Sequence, residues 1–147
     1  MWVMKIFVCL LILFTLESNT KAQQYLNLDF EKNISPNEEF SWSKFGQGYE
    51  VKVDSTVAYT GSKSMMIKKV SAGQFGAASI NFPVNDAKGK HLRYTGYIKT
   101  EGITEGYAGL WWRVDGKIQG QVLGFDNMVG RGATGSQNWK QYSIEMN

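Results

Sequence analysis

An all-β domain, an antiparallel sandwich or barrel, is the fold the sequence predicts, and three observations predict it. Gly and Asn/Asp punctuate short segments rich in β-branched and aromatic residues, the pattern of closely spaced strands. Two of the longer segments alternate in polarity with a period of two, which assigns opposite faces of a sheet. No segment sustains the 3.6-residue period of an amphipathic helix.

The chain does not begin with that domain. In MWVMKIFVCLLILFTLESNTKAQ, Lys5 supplies a positive start, and Ile6 to Leu16 form a nearly all-apolar run of 11 residues. A bilayer-spanning helix needs about 20. The run therefore reads as a removable export leader covering residues 1–22, with no membrane span and a secreted or periplasmic destination. Thr20 and Ala22 are the small residues before the expected cut, and Gln23 begins the mature chain. Cys9 lies inside the apolar run with Val8 before it, a poor context for lipid attachment. It is the chain's one cysteine, so the expected mature chain has no disulfide and no thiolate metal site.

Residues 23–147 suffice for one domain. The expected strands are Tyr25 to Phe30, Tyr49 to Asp54, Ser64 to Val70, Phe75 to Phe82, His91 to Glu101, Gly106 to Asp115, Gln119 to Asn127 and Trp139 to Met146. In HLRYTGYIKTE, Leu92, Tyr94 and Ile98 share the core face, while Arg93, Thr95, Tyr97 and Lys99 share the other. In GYAGLWWRVD, Ala108, Leu110, Trp112 and Val114 face the core, opposite Tyr107, Trp111, Arg113 and Asp115. Were these strands neighbours, Tyr97, Tyr107 and Trp111 would form an aromatic row flanked by Arg93, Arg113 and Asp115. Such a row suits a glycan or another small ligand, because the apolar face of a pyranose stacks on a ring while charged groups take its hydroxyls. Packing against a neighbouring domain would use the same row.

Composition and residue types exclude other classes. The mature chain carries 14 basic and 12 acidic side chains, a balance that argues against nucleic acid as partner. The chain's one histidine, His91, opens a strand after a turn, and no G-x-S-x-G elbow is present, so no nucleophile, base and orienter can be assembled. Asp115 and Asp126 are the best pair for glycosidase-type chemistry. Each has a structural role that fits better: Asp115 opens an Asp-Gly turn, and Asp126 is placed to hydrogen-bond the loop from Met128 to Gly135. The chain is therefore expected to be no enzyme by itself.

The segments YLNLDFEK, Pro36 to Trp42 and VKVDSTVAYTGSKSMMIK resemble the jelly-roll modules of the galactose-binding-like and carbohydrate-binding superfamily. The run KGKHLRYTGYIKTEGITEGYAGLWWRVDGK, followed by LGFDNMVGRGATGSQNWKQYSIE, is similar to the module preceding the catalytic region in secreted bacterial erythromycin-esterase-like proteins. Some C-terminal-processing-peptidase-like proteins and regulators share it. The resemblance implies a jelly roll with one or two further strands after WKQYSIE, so the module reads as incomplete at its C-terminus. It also implies a structural Ca²⁺ near the first strand and the G-x-x-S turn, with Glu31, Gly61 and Ser64 as the matching positions; oxygen ligands of this kind suit that ion. The function it implies is a secreted, non-catalytic accessory module that packs on a downstream hydrolase-type domain or helps it engage substrate. A free-standing weak carbohydrate-binding module and a fragment of an extracytoplasmic sensor or regulator are the alternatives.

Overall fold

The computed structural model describes residues 5–9, 26–33, 42–82 and 84–147. The expected leader cut at Thr20, Ala22 and Gln23, the start of the first expected strand at Tyr25, and Pro36 all lie outside the described residues. Nine strands are present among the described residues: β1 (Lys5–Cys9), β2 (Ser43–Phe45), β3 (Tyr49–Asp54), β4 (Ser64–Lys69), β5 (Ala77–Ser79), β6 (Leu92–Ala108), β7 (Trp112–Asp115), β8 (Val122–Asp126) and β9 (Ala133–Met146). A single helical turn, α1 (Val84–Ala87), joins β5 to β6. The protein is thus mostly β-structure, as its alternating and β-branched segments require.

A five-stranded sheet runs in the order β3-β4-β1-β6-β9, with every neighbouring pair antiparallel. Two hairpin-sized sheets, β2-β5 and β7-β8, accompany it. Ser64, Met65, Met66 and Ile67 are buried in succession along β4, so both faces of that strand are covered. The main core joins Ile67, Ile98, Ile103, Ala108, Leu110, Met128, Ala133 and Ile144. Along β6 Ile98 is wholly enclosed and Arg93 exposed, while Leu92 and Tyr94, expected in the core, and Thr95, Tyr97 and Lys99, expected opposite, are all half-buried. Tyr94 packs edge-on against Trp112, with ring centroids 6.1 Å apart.

Burial pushes the Tyr94 phenol up to about 12 from an ordinary value of 10.0. The fold therefore favours the neutral phenol. That contribution is intact below pH 10 and is lost as the pH rises towards 12. Alkaline titration is expected to cost the protein about 2 kcal/mol across this window, and Tyr94→Phe should remove that loss. Urea midpoints measured from pH 9 to 12 check it.

Besides β9, which begins at Ala133 and not at the expected Trp139, three expected elements differ. Residues 26–30 form a tight turn in place of a strand: Asn27 and Phe30 take left-handed φ angles of 50° and 63°, and the Phe30 amide donates to the Asn27 carbonyl at 3.1 Å. Asn27 holds the turn by exchanging side-chain hydrogen bonds with the Lys32 backbone at 2.9 and 3.1 Å, while Leu26 and Phe30 are buried. Burial of those two apolar side chains overrides the extended preference of the segment. The strand expected from Phe75 to Phe82 shrinks to Ala77–Ser79; before it, Gly73 lies against the Gln47 carbonyl and Gly76 against the Tyr49 side chain. The strand expected from Gly106 to Asp115 is divided: β6 continues unbroken to Ala108, and β7 begins at Trp112 in a different sheet.

The apolar N-terminal run contributes β1, the middle strand of the five. Its pairing with β4 runs from Lys5 opposite Lys68 to Val8 opposite Met65. Its pairing with β6 runs from Lys5 opposite Glu101 to Cys9 opposite Tyr97.

Candidate functional site

Two glycines and one loop gather four aromatic rings at the surface. Gly46, with φ of +124°, follows β2 so close to the stretch before β5 that a Cβ there would strike the Phe75 carbonyl oxygen and the Gly76 Cα. This approach sets Phe45 beside Phe75 as an edge-on pair, 6.0 Å between centroids. Trp111 meets Phe45 at 6.1 Å and Phe125 at 6.4 Å, both edge-on. All four remain exposed, from 36% for Phe45 to 58% for Phe75. Exposed Leu123 and Val122 on β8 extend the apolar character. A contiguous apolar patch of this kind marks an interaction site, whereas isolated exposed apolar residues do not.

Trp111 owes its position to the β6–β7 junction. Leu110 is buried, and its amide donates to the Met128 sulfur at 3.1 Å, so the next residue is turned outward. Met128 is itself buried in a left-handed conformation, φ 61°. Asp126 holds that loop by accepting from the Met128 amide at 2.8 Å and from the Arg131 guanidinium. This is the loop-anchoring role predicted for Asp126. On the face carrying Trp111, Arg113 lies directly opposite Phe125 in the β7-β8 register, and its Nε donates to Asp115 at 2.7 Å. The polar complement of the aromatic cluster is therefore an exposed Arg113–Asp115 pair.

The three residues expected to form an aromatic row and the three expected to flank it fall into separate places. Trp111, Arg113 and Asp115 are together. Tyr107 is half-buried against Gly132 of the loop after β8, where a Cβ would strike its ring, and it packs on the core. Tyr97 stacks on Tyr59, centroids 3.9 Å apart and planes within 13°, with Trp139 tilted 5.9 Å beyond Tyr59. The hydrogen bond to Tyr59 holds the Tyr97 phenol above its ordinary value. Arg93 donates to Glu145 at 2.6 Å across the β6–β9 ladder, and His91 lies 3.4 Å from the same carboxylate. The row fails because β6 and β7 belong to different sheets. Sequence reasoning missed Phe45, Phe75 and Phe125, which come from three segments distant in the chain; the glycines beside Phe45 and Phe75 are the signal of close approach that would have found two of them.

Glu31 and the Gly61–Ser64 turn do meet, but as a clamp. The Ser62 amide and hydroxyl donate to the two carboxylate oxygens at 2.8 and 2.5 Å, and the Lys63 amide donates at 2.9 Å. The Ser62 hydroxyl, its amide and then Lys63 hold the Glu31 carboxyl below its ordinary 4.5. Ser64 is buried and donates to the Val57 carbonyl at 2.6 Å. The Glu31 carboxylate therefore accepts three hydrogen bonds from the turn that was expected to share a cation with it. Among the described residues no cluster of three or more His, Cys, Asp or Glu is suited to a metal. Glu31→Gln is expected to cost about 1 to 2 kcal/mol at pH 7, measurable by thermal melting. In the parent protein the clamp is present above pH 4.5 and lost as the pH falls through the lowered value.

No protein-family profile matches the chain, and no solved structure matches it. Among curated proteins, an uncharacterized HTH-type transcriptional regulator, YbfP of Bacillus subtilis (strain 168), is 40% identical over 82 residues, 56% of this chain and 26% of the regulator. The match thus spans about a quarter of that relative. A helix-turn-helix unit needs two packed helices, and no pair of packed helices lies among the described residues. The likeness to a regulator overturns the expected role as an accessory module ahead of a hydrolase domain.

Proposed function

We propose that this chain is a sensory β-module of the regulator type, in which the cluster of Phe45, Phe75, Trp111 and Phe125 receives a small effector with an apolar face, a carbohydrate in class. The exposed four-ring cluster beside Arg113 and Asp115 carries this reading. Rings supply flat apolar surface to a pyranose face, and the guanidinium and carboxylate supply hydrogen bonds to its hydroxyls. The likeness to an HTH-type regulator supports a module that reports on a ligand. The jelly-roll form of the sheets belongs to the same proposal. It is supported by the antiparallel pairing and by the contact between the N-x-D-F-E segment and the G-x-x-S turn. The apolar run Ile6 to Leu16 supports an extracytoplasmic setting.

Two or three stacking contacts worth about 0.5 to 1.5 kcal/mol each lead to binding in the millimolar range. Titrating a panel of mono- and oligosaccharides while following tryptophan emission should give a saturable shift. Trp111→Ala should abolish it, and Tyr97→Phe, distant from the cluster, should leave it intact. An unchanged spectrum across the panel up to tens of millimolar, or a shift that survives Trp111→Ala, rules the site out.

A further inference from the structure

Residues 5–9 stand in the middle of the main sheet although residues 10–25 separate them from the next described segment. No tight turn ties this strand to β4 or β6, the two strands it joins. Without it the sheet divides into a β3-β4 half and a β6-β9 half, each with an open edge. The lips of that slot are among the best-buried parts of the protein: Met65, Met66 and Ile67 on β4, and Ile98 and Thr100 on β6. Buried N–H and C=O groups along both lips require partners, and an extended backbone placed between them satisfies both rows at once.

We propose that the slot between β4 and β6 is a strand-accepting site, whose resident is the chain's own apolar segment 5–9 and which binds the same sequence in trans when the resident is withdrawn. The mode is β-augmentation, with backbone hydrogen bonds supplying affinity and the side-chain alternation supplying register. The run that reads as an export leader is also the run that completes the sheet, so its insertion into a membrane or its removal opens the slot. The ligand reading of the aromatic cluster does not enter this inference.

The probe is a fluorescent peptide of residues 4–10 carrying Cys9→Ser, titrated against the full chain and against full-length Phe7→Pro. Proline in a central strand removes a ladder donor and disfavours pairing on both sides. The peptide should bind Phe7→Pro at least roughly tenfold more tightly than the parent, a difference of about 1.4 kcal/mol. Equal binding by both chains, or no binding by a Phe7→Pro chain that keeps the parent's near-ultraviolet dichroism, overturns the proposal.

A second measurement stands if Phe7→Pro does not fold. Cys9 lies opposite Tyr97 in register, so Tyr97→Cys in the full chain should form an intramolecular disulfide under mild oxidation, at least roughly tenfold faster than the off-register Arg93→Cys. Excess peptide should slow that crosslinking. To exclude an effect of losing the Tyr59 stack, Phe7→Cys with Lys99→Cys and Cys9→Ser tests a second in-register pair. Crosslinking no faster than the control, or indifference to the peptide, overturns the assignment.

Discussion

Met128→Ala is expected to lower the unfolding free energy by about 3 to 5 kcal/mol, the upper part of the range for truncating a buried methionine. Two losses add. The side chain is 1% exposed within the core that joins Ile98, Leu110 and Ile144, so its removal leaves a cavity. Its sulfur also accepts from the Leu110 amide, which would be left buried without a partner. Met128→Leu separates the two: it conserves volume, so its cost should stay near 1 to 2 kcal/mol, chiefly the orphaned amide. Chemical denaturation of the three proteins checks the order. Because Met128 also contacts Gly109 and fixes Leu110, the alanine variant should free the β6–β7 junction and disturb Trp111. Loss of saccharide-dependent emission at temperatures where Met128→Ala is still folded would mark that coupling.

Gly46→Ala should cost about 3 kcal/mol and dismantle the Phe45–Phe75 pair. A φ of +124° disfavours any side chain, and the added Cβ would strike the Phe75 carbonyl and the Gly76 Cα, both backbone atoms that cannot swing aside. Gly120→Ala is the informative comparison. Its φ is +80°, but open space surrounds the added carbon, so only the conformational cost remains, about 1 to 2 kcal/mol. Thermal melting gives the difference, which measures the clash itself. Near-ultraviolet dichroism should change for Gly46→Ala and not for Gly120→Ala, since only the former separates β2 from the segment carrying Phe75.

These two residues show where local reading succeeds and where it stops. The pattern from Ala108 to Asp115 was legible: Ala108 and Leu110 are enclosed, while Trp111, Arg113 and Asp115 are exposed, although residues 109–111 belong to neither strand. Asp126 was legible as a loop anchor because its carboxylate precedes a glycine-rich loop whose amides need acceptors. The turn at Asn27 to Phe30 was not legible. Its left-handed angles are stabilised by burial of Leu26 and Phe30 and by the Trp42 indole donating to the Asn27 carbonyl from fifteen residues away. The aromatic site was half legible: Trp111 stood out as an exposed tryptophan beside charges, but its partners Phe45, Phe75 and Phe125 lie on separate segments that only folding brings within about 6 Å.

By itself the sequence determined the β class and the outward position of Trp111, Arg113 and Asp115, but not that of Tyr107, which was expected beside them and packs on the core. Each of these follows from interactions between residues near in the chain. Tertiary structure alone decided that β6 and β7 belong to different sheets, that Tyr97 stacks on Tyr59 away from Trp111, and that Glu31 clamps a turn with hydrogen bonds. It also placed the apolar run 5–9 between β4 and β6. Strand pairing is a long-range choice, made by burial and by the demand that every enclosed backbone group find a partner, and neither is written in local periodicity.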